Sequence, residues 1–213
     1  MFHTTRRAVL IGAAALALAP SLALADAASK VNIADLMAPG ALPDIVEGKA
    51  DAPVTVVEYA SLTCPHCANF YMEVFPTLKK NYIDTGKVKF VYRDFPLDAL
   101  AAGGAMLARC SGDKRNAVVE LLFSQQKNWA FVDKPLDALQ ATMKQTGMSD
   151  DSFKKCLDDR ALYQNVIKDR ETAATKFSIN STPTFFVNGE RKTGEFPAAD
   201  LDKWLGLTPA EKK

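Results

Sequence analysis

Cys64 and Cys67, separated by Pro65 and His66, are the residues of this chain best suited to chemistry. Two cysteines at this spacing share one face of a helix and can close a small disulfide ring. Where such a pair opens a helix, the free N–H groups of the first turn and the positive end of the helix dipole favour a thiolate at the first sulfur. His66 adds a donor or a positive charge that favours ionised sulfur further. Redox exchange is the chemistry this predicts, and two other uses stay open. One is half of a zinc site, although Cys110 and Cys156 are far away and do not make a second close pair. The other is a purely structural bridge, although so tight a loop restricts the unfolded chain little. Upstream stands Glu58, a carboxylate inside an apolar run, where burying its charge is costly.

The elements that must position these residues follow from pattern. Val54-Thr55-Val56-Val57-Glu58-Tyr59 is β-branched and mostly apolar, as in a central parallel strand. A helix is expected from Cys64 towards Ile83, with Thr63 as its N-cap and Phe70, Val74, Leu78 and Tyr82 facing the sheet. Pro76 should kink it, and Gly86 follows its end. Val88, Phe90 and Tyr92 mark the next strand and complete a strand–helix–strand unit. Helical patterns follow over 97–109, 114–128, 134–146, 150–157 and 162–177, with Ser149 as an N-cap. The sheet resumes with Thr184-Phe185-Phe186-Val187, turns at Asn188-Gly189 and returns along Glu190-Arg191-Lys192. Leu201, Trp204 and Leu205 line a last helix that ends at Gly206. Near the start, 26–37 reads as a loose, alanine-rich arm. Pro39-Gly40 and Pro43 break any helix, and Ile45-Val46 forms a short edge strand. The class is α/β: a thioredoxin fold with an inserted all-helical domain. Residues 43–96 and 177–213 make the thioredoxin-fold domain, 97–176 the helical insertion and 26–42 the N-terminal arm.

Composition sets the compartment. The chain has 213 residues, 48% hydrophobic, with a formal net charge of +1, which gives no electrostatic case for nucleic acid. Residues 1–25 read as a signal peptide. Arg6 and Arg7 form the positive region, residues 8–24 the apolar one, and Ala23-Leu24-Ala25 the cleavage site. Pro20 and the weakly apolar alanines argue against a membrane anchor. The two arginines suit the Sec route and also resemble a twin-arginine signal. Export places the mature protein in the periplasm, where disulfides persist.

Cys64-Pro65-His66-Cys67, the strand ending in Val57-Glu58-Tyr59-Ala60, the helical insertion and Ser181-Thr182-Pro183-Thr184 together resemble the DsbA family of periplasmic thiol:disulfide oxidoreductases, over nearly all of the mature chain. The resemblance implies a very acidic first cysteine and an oxidising disulfide. The resemblance implies that Cys64 is the nucleophile and Cys67 the more buried resolving thiol. It implies that Pro183 is a cis-proline facing them, that the Thr182 backbone pairs with substrate, and that Glu58 exchanges a proton with Cys67. Cys110 and Cys156 match a second pair carried as a structural disulfide in an alphaproteobacterial branch. No metal and no cofactor beyond the Cys64–Cys67 disulfide is implied. The implied partners are reduced, partly folded exported proteins and a DsbB-like membrane reoxidant.

The expected function is therefore donation of the Cys64–Cys67 disulfide to exported proteins by a monomeric oxidase. Thr182 gives a runner-up, since threonine before the cis-proline is typical of the isomerase branch. Such relatives carry an N-terminal dimerisation domain, for which the stretch from Asp26 to Pro43 is too short. A non-catalytic chaperone using an apolar groove is a third reading, against which the paired cysteines argue.

Overall fold

The structure is a computed structural model that describes residue 1, residues 29–192 and residues 198–207. The signal segment expected over 1–25 lies outside the described residues, apart from Met1. Its centre is a five-stranded sheet of β1 (Ile45–Glu47), β2 (Val54–Ala60), β3 (Val88–Asp94), β4 (Thr184–Val187) and β5 (Glu190–Lys192), in the order β1-β3-β2-β4-β5. β2 and β3 run parallel, as a strand–helix–strand crossover requires, and the other neighbours are antiparallel. Alternation sends Val56, Phe90, Tyr92, Phe185 and Val187 to one face, with Glu58 among them. Val57, Tyr59, Val91 and Phe186 go to the other. Asn188 and Gly189 turn β4 into β5 with φ of 48° and 84°, the left-handed pair that a two-residue hairpin needs. The Asn188 side chain also accepts from the Thr55 N–H at 2.8 Å.

The segment expected as a loose arm is tied down instead. Its backbone bonds to the sheet edge, with Val31 N–H to Gly189 O and Arg191 N–H to Ser29 O, both 2.8 Å. A short helix α1 (Ile33–Leu36) is capped by the Asn32 side chain, which accepts from Ala34 N–H at 2.8 Å, and Leu36 is fully buried. The alanine-rich composition hid one well-placed cap and one core leucine.

The crossover helix runs from residue 65 to 83 as α2 (Pro65–Asn69), a π-turn at Phe70–Val74, α3 (Phe75–Leu78) and a second π-turn at Lys79–Ile83. The first π-turn places Phe75 N–H on Phe70 O, ahead of Pro76, whose ring would crowd a regular ladder. The second π-turn shifts the buried stripe by a residue. Phe70, Val74 and Leu78 face the core as expected, but Ile83 takes the place expected of Tyr82. Tyr82 is only partly buried and donates to Asp202 at 2.9 Å.

Between β3 and β4 lie α4 (Ala99–Cys110), α5 (Arg115–Ser124), α6 (Gln126–Trp129), α7 (Pro135–Lys144), α8 (Asp150–Leu157) and α9 (Arg160–Lys176). The segment 114–128, expected as one helix, breaks at Gln125 into α5 and α6. Ser149 caps α8, accepting from Ser152 N–H at 3.1 Å. α4 is the axis of this block, and its Gly104 lets it approach the active loop, since a Cβ there would stand 2.9 Å from Leu62 Cδ1. Finally, α10 (Leu201–Leu205) ends at Gly206 in the left-handed region (φ 68°), with Leu201, Trp204 and Leu205 buried.

Cys110 and Cys156 form a disulfide joining the end of α4 to α8 with Cα atoms 6.2 Å apart. The sequence separation of 46 means that this bond restrains a long loop of the unfolded chain. On chain-entropy grounds that is worth about 4 kcal/mol. Replacing both cysteines by alanine is expected to lower the unfolding free energy by about 2–4 kcal/mol. Denaturant titration of both proteins, with Cys64 and Cys67 held in one redox state, measures it; equal midpoints would show that the bond restrains nothing.

Candidate active site

Cys64 is itself the N-cap of α2, one residue later than the expected cap at Thr63. The hydroxyl of Thr63 instead donates to Asp98 Oδ2 at 2.6 Å, while Asp98 Oδ1 caps α4 by accepting from Ala101 N–H at 2.8 Å. This arrangement puts sulfur where a cap oxygen normally stands. Pro65 at the first helical position has no N–H, so the free donors of the turn are the N–H groups of His66 and Cys67.

The two sulfurs differ sharply. Cys64 is 5% exposed and Cys67 is wholly buried. The thiol of Cys67, acting as a hydrogen-bond donor, is the main cause that holds the Cys64 pKa down at about 5. Burial opposes this, and the Thr182 side chain and the N–H groups of Cys67 and His66 add to it. His66, whose side chain is exposed, thus enters through its backbone. Cys67 is pushed well above an ordinary thiol by burial, by its bond to Cys64 and by Glu58. Glu58 is fully buried, neither oxygen has a hydrogen-bond partner, and its pKa rises well above the carboxylate range. Burial dominates there, with the Tyr71 phenol acting in the opposite sense.

Thr182–Pro183 is a cis peptide bond, and it leads into β4 beside the cysteines. The Cys64 thiol donates to the Thr182 carbonyl at 3.3 Å. The Thr182 hydroxyl oxygen is buried and has no hydrogen-bond partner. The structure therefore brings Cys64, Cys67, Thr182 and Pro183 together at the helix start, with Glu58 behind Cys67 on β2. Cys110 and Cys156 are bridged to each other elsewhere, which removes the two cysteines a zinc site would need. Among the described residues no group of three or more His, Cys, Asp or Glu could hold a metal ion.

Sequence reading missed Gln126 and Tyr71. The Gln126 amide, 3% exposed at the start of α6, donates to Leu62 O at 2.8 Å and to Cys64 O at 3.0 Å. The helical block thereby fixes the carbonyls on either side of Thr63. A glutamine after Gln125 in a mixed run carries no signal of this; only the fold brings it to the loop. Tyr71 sits one residue off the expected apolar stripe and is buried by the π-turn.

The Thioredoxin family pattern matches residues 41–206. A protein of Rickettsia felis with the provisional name protein-disulfide oxidoreductase is 37% identical over 172 residues, 80% of this chain and 62% of that protein. Its Rickettsia typhi counterpart is 37% identical over 148 residues, and this chain spans only 55% of its length. A Bacillus cereus protein, provisionally named disulfide bond formation protein D, is 30% identical over 74% of this chain and 77% of its own length. Among solved structures, alpha-DsbA1 of Wolbachia pipientis superposes with a TM-score of 0.74 at 30% identity, covering 81% of this chain and 93% of that one. BdbD of Bacillus subtilis gives 0.64 at 26% identity, covering 76% and 91%. With the five-stranded sheet, the inserted helices and Cys64-Pro65-His66-Cys67 at a helix start, the chain belongs to the thioredoxin family, among its DsbA-like disulfide oxidoreductases.

Proposed function

We propose that this protein donates the Cys64–Cys67 disulfide to reduced proteins exported to the periplasm. The observation that carries the direction is the opposite displacement of the two thiols, Cys64 down to about 5 and Cys67 far up. A group stabilised as thiolate lowers the free energy of the reduced enzyme, so its disulfide tends to leave. In the forward step a substrate thiolate attacks the Cys64 sulfur. The Cys64–Cys67 bond breaks, and the electron pair goes to Cys67, which takes up a proton. The second substrate thiolate then attacks the substrate sulfur bound to Cys64. That releases a disulfide product and a Cys64 thiolate, which stays ionised at neutral pH. Pro183 and the Thr182 backbone border the substrate, and Glu58 is the proton donor to Cys67. A DsbB-like membrane protein restores the disulfide, and the enzyme works as a monomer. No helix among the described residues is long and apolar enough to cross a membrane. Equilibration of Cys64–Cys67 with glutathione, together with oxidation of a reduced model protein, tests the reading. A strongly reducing potential with no oxidation of the model protein refutes it.

Thr182 before the cis-proline keeps isomerisation as a second reading, and its side chain, buried beside Cys64, helps hold the Cys64 thiolate. Thr182→Val is expected to raise the Cys64 pKa from about 5. Cys67→Ala, which removes the largest stabilising group, should raise it further, by more than about one unit, and by more than His66→Ala. Ultraviolet absorbance of the thiolate against pH ranks the three variants.

The same acidity fixes a stability window. The folded pKa of Cys64 lies below the unfolded one, so its contribution is fully present above the unfolded value of about 9 and is lost as pH falls through about 5. At pH 7 the reduced protein should unfold at higher denaturant concentration than the oxidised one. The gap should close as pH approaches about 5. Paired denaturation curves at three pH values, with Cys110–Cys156 kept oxidised, provide the comparison; an oxidised form that is the more stable at neutral pH would point to a reductant.

A further inference from the structure

Cys67 takes up a proton in a place that bulk water does not reach. It is wholly buried, and in the exchange proposed above a substrate sulfur is bonded to Cys64 at the front of the site. Behind it lies a column of polar groups on one face of β2 and β3. Glu58 is the register partner of Tyr92, and Ala60 that of Asp94, so Glu58, Tyr92 and Asp94 project to the same side on adjacent strands. All three are buried, at 0%, 2% and 5% exposure. Both Glu58 oxygens, the Tyr92 hydroxyl and Asp94 Oδ1 make no hydrogen bond of full geometry, although the side chains of Tyr92 and Asp94 interact, as do those of Tyr71 and Glu58. Buried polar atoms are ordinarily satisfied, and three neighbouring residues so weakly satisfied in a row are therefore informative. Tyr71 joins from the crossover helix, its ring 6.5 Å from that of Tyr92 and set edge-on.

The far end of the column reaches a cavity. Asp94 Oδ2 accepts from Arg109 Nε at 2.7 Å, and both residues line a space of about 90 Å³ with Asp44, Arg93 and Asp169. Those five charged side chains offer a water several partners in a space of that size. The space is also remote from the peptide-facing side at Cys64 and Pro183, since Tyr59 and Phe177 of the opposite sheet face line it too.

We propose that Tyr92 and Asp94 pass protons between this cavity and Glu58, so that Cys67 is protonated from behind the sheet while substrate occupies the front. The inference rests on the exchange chemistry proposed above. When the Cys64–Cys67 bond breaks, the electron pair resides on Cys67. Glu58 gives its carboxyl proton to that sulfur and becomes a carboxylate. A cavity water gives a proton to Asp94 Oδ1, Asp94 passes it to the Tyr92 oxygen, and the Tyr92 hydroxyl proton goes to Glu58, so that Asp94 and the phenol both return unchanged. One proton enters from solvent for each bond broken. The groups facing Glu58 are Cys64, Cys67 and Tyr71 from the helix and Tyr92 from β3. Asp94 is faced by Arg109 from α4 and by Tyr92, and Tyr71 also by Glu47. Tyr92 and Asp94 are positioning residues, because they act through Glu58 and never touch sulfur or substrate.

Stopped-flow reduction of Cys64–Cys67 by dithiothreitol, with an indicator dye for proton uptake, tests this on the full chain. Tyr92→Phe keeps the ring in its packing against Phe123 and removes only the hydroxyl. It should slow proton uptake by about tenfold or more and alter its pH profile and solvent isotope effect. The Cys64 thiolate midpoint should stay in place. Glu58→Gln should give a similar loss, and the double variant no further one, as expected for groups on one path. Asp94→Asn should behave alike but leaves Arg109 without its buried partner and can destabilise the fold, so Tyr92→Phe is decisive. Wild-type rate, pH profile and isotope effect in Tyr92→Phe overturn the proposal. So does a loss in Tyr71→Phe alone, which moves the route to the helix. A wild-type protein that fails to oxidise peptides yet shows the Tyr92 effect with dithiothreitol removes the oxidase reading and leaves the proton path standing.

Discussion

Everything at this site depends on one substitution of atoms: a sulfur occupies the position where a helix usually carries a capping oxygen. Cys64 stands at the cap, Pro65 contributes no N–H, and the donors of His66 and Cys67 are left for the sulfur. An oxygen cap accepts the same donors in any redox state. A sulfur accepts them well only as a thiolate, and it loses that charge when it joins Cys67. The stability of the helix start is thereby coupled to the redox state of the pair. Burial supplies the other half of the asymmetry. The helix repeat carries Cys67 down into the core, where charge is costly and the thiol remains protonated. Two identical side chains three positions apart acquire opposite tendencies from a single turn of helix.

Such a cap requires a rigid loop, and the helical block provides it. Gln126 holds the carbonyls of Leu62 and Cys64, and Thr63 is drawn to Asp98. Leu97 N–H donates to Ser61 Oγ at 3.2 Å, and Gly104 allows α4 to press against Leu62. These contacts come from the first half of the block, α4 to α6, and converge on four consecutive loop residues. The distant disulfide between α4 and α8 braces α4 from its other end. The insertion thus acts on the chemistry through backbone position rather than through any group that touches sulfur.

What was legible in the sequence follows from the range of the forces involved. β2, β3, the Asn188-Gly189 hairpin and the Gly206 helix end are local patterns, and each lies where its pattern put it. The N-cap was misplaced by one residue because Thr63 is a good cap by type, while Asp98, far along the chain, competes for its hydroxyl. The stripe on the crossover helix was read with a constant repeat. The second π-turn adds a residue, so Ile83 is buried where a constant repeat points to Tyr82. The arm over 29–37 looked loose because its attachment is backbone pairing to β5, which leaves no mark on composition. At the site, Cys64, Cys67 and Glu58 announced themselves by type and spacing, whereas Gln126 and Tyr71 become visible only once helices and sheet are assembled.

Glu58 was the oddity of its strand, and its surroundings give it a meaning. A buried carboxylate is commonly neutralised by a cation, but the groups beside it are thiols and phenols, all of them neutral when protonated. Arg109, which lies at the Asp94 end of this face, is taken up by Asp94 and by Pro43 O at 2.9 Å. With no counter-charge, the carboxyl is stable in the core as the acid and costly as the anion. An anion at Glu58 would also stand against a Cys67 thiolate, and each raises the other's affinity for a proton. The core behind the active pair therefore tolerates at most one negative charge at a time, and the cheapest state carries none. Charge is kept at the helix start, on Cys64, where N–H groups and the dipole can meet it. The sheet beneath stays neutral, and breaking the Cys64–Cys67 bond must draw a proton inward as surely as it sends electrons to sulfur.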